Sequence, residues 1–290
     1  FHGYNYLLAR ENLNDHLSSY ERKGNIRQRL WKIRAKKVVI ATGAIERPLI
    51  FSNNDRPGII LSSSIKKYID YYGVKTGENI SLFTNNDSAY ETAISLNKSG
   101  VKVKVIIDIR ENSNSILSEQ VERSGIKILK GYTVIDTDGY KKIKSFDVMK
   151  LSKDGGSVVG NKITYKSDCL GISGGWTPMV HLFTQSGGKL KFRNNDNVFI
   201  PDENKTPSKQ ISVGSSNGDF ELDDVINNTV KNIKIFLGLD KNDLENLNIK
   251  CSKEKQKRNI WLLPSNKPIS KTKPFLDFQN DSTAKDVKLA

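Results

Sequence analysis

Apolar and polar residues alternate in several registers along the chain, and the registers divide it. Up to about Val39 the pattern predicts antiparallel strands with a polar turn around Glu21–Asn25. The run Leu30-Trp31-Lys32-Ile33-Arg34-Ala35 has an alternating pattern, as a strand with one wet face does. Next, Lys37-Val38-Val39-Ile40-Ala41-Thr42-Gly43-Ala44 predicts a short strand buried on both faces and a turn of small residues. The period then changes to that of a helix. From Ser62 to Tyr72, Ile65, Tyr68, Ile69 and Tyr72 share one face, and Gly73 is placed to cap the end.

A strand at Asn79 to Phe83, a helix from Ser88 to Lys98 closed by Gly100, and a strand from Val101 to Ile107 ending at Asp108 make one βαβ unit. A helix from Ile116 to Arg123 and a strand from Ile126 to Leu129 extend it. A meander follows, turning at Asp138-Gly139 and Asp154-Gly155-Gly156. After Lys166 the buried-strand texture returns in Cys169-Leu170-Gly171-Ile172-Ser173-Gly174-Gly175. The strand Ile211-Ser212-Val213 enters the turn Gly214-Ser215-Ser216-Asn217-Gly218-Asp219. A helix from about Leu222 carries Val225, Ile226, Val230 and Ile233 on one side, and Leu239 to Ala290 is polar and punctuated by proline.

The βαβ unit is where a dinucleotide fingerprint belongs, with glycine required for a sharp turn, for backbone access to the pyrophosphate and for helix contact. The sequence has Thr84-Asn85-Asn86-Asp87-Ser88-Ala89 there, and only Ala89 fits. Asn86 adds a side chain over the phosphate seat, and Asp87 adds a negative charge. Asp108 is correctly spaced for a ribose hydroxyl. Both a working site and a retained fold with a blocked site are compatible with these residues. Two other turns are better suited: Ala41-Thr42-Gly43 and Gly214 to Asp219, each after a buried strand, the second before a helix N-terminus. They predict nucleotide contacts from Thr42, Gly43, Gly214, Ser215, Asn217 and Gly218.

Other chemistry is sparse. His181 stands between Val180 and Leu182 with no nucleophile or carboxylate cluster beside it, and His2 and His16 have no better setting. Cys169 reads as a core residue inside a strand. Trp176 fits either a pocket wall or a loop anchor. The two cysteines, Cys169 and Cys251, exclude a disulfide scaffold, and neither a metal-ligand spacing nor an acid–base pair is present.

Composition changes the picture little. The 290 residues are 37% hydrophobic and 27% charged, enough chain for roughly two domains. No apolar run approaches the ~18 residues of a membrane span. Nothing in the first residues given resembles a basic, then apolar, signal segment, and a reducing, cytoplasmic setting is expected. The net charge of +14 raises the possibility of nucleic-acid binding, but the lysines are scattered among Asn and Ile and not clustered with aromatics. The densest basic run, Lys253-Glu254-Lys255-Gln256-Lys257-Arg258, is short, contains an acid and reads as a solvated loop. The chain begins with Phe1 in a strand-like run, and Thr283 with Asp286 marks a helix start close to Ala290, so a piece of a longer chain is expected.

Several strings carry a family resemblance. Arg29–Lys36, Ala41-Thr42-Gly43-Ala44-Ile45-Glu46-Arg47-Pro48, Asn54-Asp55-Arg56-Pro57-Gly58, Phe83–Asp87, Ser173-Gly174-Gly175-Trp176-Thr177-Pro178, Gln185–Lys189 and Asp277-Phe278-Gln279-Asn280-Asp281 resemble the alpha subunit of heterotetrameric sarcosine oxidase. More distantly the chain is similar to two-domain FAD/NAD reductases. The resemblance implies an α/β fold with two dinucleotide-binding domains, the first interrupted by the second: 1–50 with 166–238, a partial first domain expected to lack the leading βαβ that carries the family's glycine fingerprint, and 51–165, then a 239–290 tail leading to a further domain. It implies NAD on this subunit in the first nucleotide fold, FAD on the beta subunit and FMN between alpha and beta. A tetrahydrofolate-binding domain, resembling aminomethyltransferases, is expected after the tail. Beta, gamma and delta subunits are the expected partners and a small secondary amine the substrate, with no nucleic acid and no membrane. The alpha subunit of a related amine, opine or proline dehydrogenase is the alternative.

Overall fold

A computed structural model describes residues 4–207, 209–239, 249–251 and 259–290. His2 and the basic run 253–258 lie outside the described residues. Packing divides the chain into unit 1, residues 1–45 and 177–251, and unit 2, residues 46–176 and 252–290. The sequence places these divisions at 50/51 and 165/166. Leu49, Phe51, Leu170 and Ile172 all lie in the core of unit 2, which draws the divisions outward.

Unit 1 opens with β1 (Tyr6–Asn12), a single helical turn α1 (Ser19–Arg22) and β2 (Gln28–Arg34). The two strands form an antiparallel hairpin pairing Leu7 with Ile33 and Ala9 with Trp31. The expected alternation is present, but both faces are open: Leu8, Leu30, Trp31 and Ile33 are all exposed. Two strands alone carry no second layer, so the apolar face of the pattern stays wet. The short strand β3 (Val38–Ile40) also departs from expectation, with Ile40 buried and Val39 exposed. The chain leaves unit 1 in β4 (Ala44–Glu46).

Unit 2 is a three-layer sandwich. Its middle layer is a parallel sheet in the order β5-β12-β6-β7-β8. Its strands are β5 (Ile59–Leu61), β6 (Ile80–Thr84), β7 (Val103–Asp108), β8 (Ile128–Lys130) and β12 (Cys169–Ser173). Every residue of β6 and β12 is buried, because both faces of the sheet are covered. Helices α2 (Ser62–Tyr72), α3 (Ser88–Lys98) and α4 (Ile116–Arg123) supply Ile65, Ala93, Leu96 and Val121 to one face, where Ile80, Leu82 and Ile106 meet them. The antiparallel meander β9 (Tyr132–Asp138), β10 (Ser145–Leu151) and β11 (Val158–Lys166) covers the other, placing Val134, Phe146 and Val148 against Phe83, Val105 and Ile107. Consecutive residues such as Leu82 and Phe83 serve opposite layers, as a strand's two-residue period requires. Gly171 lets α2 approach β12: a Cβ there stands 2.6 Å from both Ile65 Cδ1 and Leu82 Cδ2.

The chain re-enters unit 1 through β13 (Trp176–Pro178) and continues as α5 (His181–Gln185), β14 (Leu190–Arg193), β15 (Val198–Pro201), β16 (Gln210–Ser212) and α6 (Leu222–Leu237). It ends in unit 2 with β17 (Phe275–Asp277), β18 (Ser282–Thr283) and α7 (Ala284–Leu289). Thr283 and Asp286 form the expected capping box reciprocally. No helix among the described residues is long and apolar enough to cross a membrane.

Candidate functional site

In unit 1, β16 pairs with β3 in parallel, aligning Ser212 with Ile40. Both strands therefore end at the same edge, and both sequence-predicted turns begin there. Their ends are tied together: Val213 N–H donates to the Ile40 carbonyl at 3.0 Å, and the buried Ser216 hydroxyl donates to the same carbonyl at 3.1 Å. The carboxyl end of adjacent parallel strands is where α/β folds place ligands, because turn backbone and helix termini converge there.

The first turn is held open by its own hydrogen bonds. Thr42 Oγ1 donates to the Met179 carbonyl at 2.6 Å, and Met179 N–H donates to the Gly43 carbonyl at 2.9 Å. The hydroxyl of Thr42 is thus engaged with backbone, so any ligand contact from this residue comes from elsewhere on it. Gly43 sits at φ +74° with nothing within 4 Å of where a Cβ would stand. That is the geometry a ligand needs for close approach to backbone.

In the second turn residues 214–217 form a single 3₁₀ turn, with Gly214 at φ +65° and Gly218 at φ +88°. Ser215 and Asn217 are half-buried, while Gly214 and Gly218 are buried. Arg193, which carried no signal in the sequence, sets the shape of this turn. Its Nη2 donates to the Gly218 carbonyl at 2.6 Å and pairs with Asp196 at 2.7 Å. A Cβ on Gly218 stands 2.8 Å from Ile200 Cγ2 and 3.0 Å from the Arg193 guanidinium, so glycine is required there by packing. Asp219 closes the turn, accepting from Asn228 Nδ2 at 3.0 Å. Burial raises the pKa of Asp219 above the ordinary carboxylate value, with Asn228 working against it. The first turn of α6 carries Asp223 and Asp224, so its N-terminal dipole already has carboxylates nearby.

The βαβ of unit 2 is arranged differently. Asn86 Oδ1 accepts from Ser88 N–H at 3.0 Å at the start of α3. Asp108, fully buried, accepts from Tyr90 at 2.5 Å and from Arg110 Nη2 at 2.7 Å. Burial and then the Asp108 charge push the Tyr90 hydroxyl far above its ordinary value, keeping it a donor.

The remaining candidates are peripheral. His16 and His181 are exposed, and Cys169 is buried beside Thr76 Oγ1, its thiol pushed up by burial. Trp176 is half-buried. No group of metal-ligating side chains occurs among the described residues.

No known family profile matches the chain. Over 98% of its length it is 32% identical to sarcosine oxidase subunit alpha of Corynebacterium sp. strain P-1, and equally to that of strain U-96. The alpha subunit of Rhizobium meliloti strain 1021 is 30% identical over 91% of the chain. The chain spans about 29% of the length of the two Corynebacterium relatives. Among solved structures, thioredoxin reductase of T. acidophilum matches 73% of the chain and is matched over 68% of its own, at TM-score 0.54 and 16% identity. The Escherichia coli flavoprotein disulfide reductase RclA, as its Cu(II) complex, matches 74% of the chain and 47% of its own at 0.51 and 14%. The fold is therefore the α/β fold of such reductases, and the sequence resembles the sarcosine oxidase alpha subunit along nearly all of its length.

Proposed function

We propose that the chain is part of the alpha subunit of a flavin-dependent amine oxidase acting on sarcosine (N-methylglycine), and that unit 1 holds its dinucleotide. The observation that carries the nucleotide assignment is the side-by-side placement of the Ala41-Thr42-Gly43 and Gly214–Gly218 turns at the carboxyl ends of two parallel strands. The similarity to named alpha subunits over 98% of the chain supports the rest.

The residues present fit a dinucleotide, since the space in front of Gly43 is open and no side chain intervenes. Gly43 offers backbone at close range, Gly214 and Gly218 let the second turn take its positive-φ shape beside it, and Thr42 and Arg193 hold the two turns through the Met179 and Gly218 carbonyls. Ser215 and Asn217 supply hydroxyl and amide groups from the second turn. The bound cofactor is NAD, which supplies a redox-active pyridinium ring. In the whole complex, the resemblance assigns FAD to the beta subunit, FMN to the alpha–beta boundary and tetrahydrofolate to a C-terminal domain as one-carbon acceptor. Beta, gamma and delta subunits complete the assembly, in the cytoplasm. The domains proposed are a partial, interrupted first nucleotide domain and an inserted second one.

Oxygen uptake by the full-length protein, co-expressed with its partner subunits, tests the activity. Turnover of sarcosine well above proline and opines is expected. Preference for proline or an opine makes the chain part of a related dehydrogenase instead.

A further inference from the structure

Unit 2 has the sheet of a dinucleotide-binding fold, and such a sheet takes its ligand outside the carboxyl ends of its strands where the strand order reverses. In unit 2 that point lies between β12 and β6. Loops 85–87 and 174–175 follow the carboxyl ends of these two strands. We propose that this crevice is closed by the chain's own side chains, so that unit 2 binds no dinucleotide and its nucleotide fold serves as a scaffold.

Three groups of contacts close it. At the pyrophosphate position, Asn86 lies across the start of α3. Its Nδ2 donates to Asn85 Oδ1 at 2.9 Å and to the Ser173 hydroxyl and carbonyl at 3.1 and 3.2 Å, while its Oδ1 takes the N–H of Ser88. The amide oxygen fills the place in which a phosphate oxygen would accept.

Beside it, charge opposes an anion. Arg110 is buried, and its Nη2 is shared between Asp87 at 2.8 Å and Asp108 at 2.7 Å. Two carboxylates against one guanidinium leave a net negative charge where a diphosphate would arrive. The same arrangement occupies Asp108, which is suited by spacing to a ribose hydroxyl but accepts from Tyr90 and from the backbone N–H of Arg110 as well.

Over the crevice lies the segment 260–263. The Ile50 N–H donates to the Trp261 carbonyl at 2.7 Å and the Leu263 N–H to the Ile50 carbonyl at 2.8 Å, an isolated parallel bridge that pins the segment to residue 50. The Trp261 indole N–H donates to the Gly174 carbonyl. Asn85 Nδ2 reaches both Gly174 and Ile260 carbonyls at 3.4 Å. The Arg47 guanidinium stacks 4.1 Å from the centre of the Trp261 ring. An aromatic ring, a stacked cation and a backbone carbonyl are the partners a nucleotide base would seek, and here the chain supplies them to itself.

The test uses the full-length protein and an NAD analogue carrying a photoreactive azide on its adenine. After irradiation at saturating concentration, peptides covering 84–90, 108–113 and 259–263 are expected to carry no label. Label in any of them overturns the proposal. Label in peptides around 41–43 and 213–219 bears on the unit 1 site alone, so failure of that reading is seen separately. A second measurement needs no ligand binding to succeed. The Trp261 indole N–H is expected to exchange with solvent about tenfold or more slowly than that of the exposed Trp31. It is also expected to keep that rate when NAD is added. Exchange as fast as Trp31, or a rate that changes with NAD, overturns the sealed crevice.

Discussion

Replacing Arg110 with alanine removes a buried guanidinium held between two carboxylates in the interior of unit 2. Asp108, with no solvent exposure, loses the side-chain bonds at 2.7, 3.0 and 3.2 Å from Arg110 and keeps Tyr90 and one backbone N–H. Asp87 loses its partner at 2.8 Å. Breaking a buried pair by removing one member costs about 3–5 kcal/mol, because a charge is left without compensation. Loss of the side chain's packing acts in the same direction. Urea unfolding of the full-length protein followed by the fluorescence of unit 2 tryptophans reads this cost. A triple variant, Arg110→Met with Asp87→Asn and Asp108→Asn, is expected to recover most of it, since no buried charge then lacks a partner. A loss below about 1 kcal/mol for Arg110→Ala refutes the reasoning, because a solvent-screened pair is worth no more than that. Failure of the triple variant to recover locates the cost in shape and not in charge.

Other perturbations give further checks. Gly171→Ala places a methyl 2.6 Å from Ile65 Cδ1 and Leu82 Cδ2, and overpacking of this kind costs about 1–3 kcal/mol, read as a lower midpoint in urea. A midpoint unchanged by the substitution shows that both side chains yield freely. Glu46, buried and accepting from Ser63 N–H at 2.8 Å, has its pKa raised above its ordinary 4.5 chiefly by burial. The folded form therefore holds its proton longer than the unfolded one. Its contribution is complete below pH 4.5 and declines as pH rises toward the folded value. Glu46→Gln is expected to flatten that decline in a series of melts, and an identical pH profile contradicts it.

The helices of unit 2 were readable because periodicity and glycine agreed. Ser62–Tyr72, Ser88–Lys98 and Ile116–Arg123 take the predicted bounds, two of them stopped by Gly73 and Gly100. Strand ends moved by a residue or two, since β-branched runs do not mark where pairing begins. Exposure of the β1–β2 hairpin was not readable, because alternation tells which residues share a face but not whether anything covers it. At the two small-residue turns the glycines pointed to loops that the fold brings to one edge of unit 1, yet Arg193 was invisible in an alternating strand, and its contact depends on Gly218 lying across from it. Asp108 is the instructive case. Its spacing suggested a ribose ligand, and only the fold shows that Tyr90 and Arg110 share its Oδ2 while Arg110 also takes its Oδ1. Segment 260–263 gave no periodic signal, because its work is done by one tryptophan and two backbone pairings over a long sequence gap.

Calorimetric titration of NAD into the full-length protein carrying Gly43→Val, beside the native protein, tests the proposed nucleotide site most directly. The new Cβ has no protein atom within 4 Å beyond its chain neighbours, so the side chain projects into the space before the turn, and at φ +74° it adds a strain of about 1–2 kcal/mol. The account predicts one NAD per native chain and at least a tenfold loss of affinity in the variant with its fold retained by circular dichroism. Equal affinity in the two proteins contradicts a dinucleotide seated against Gly43.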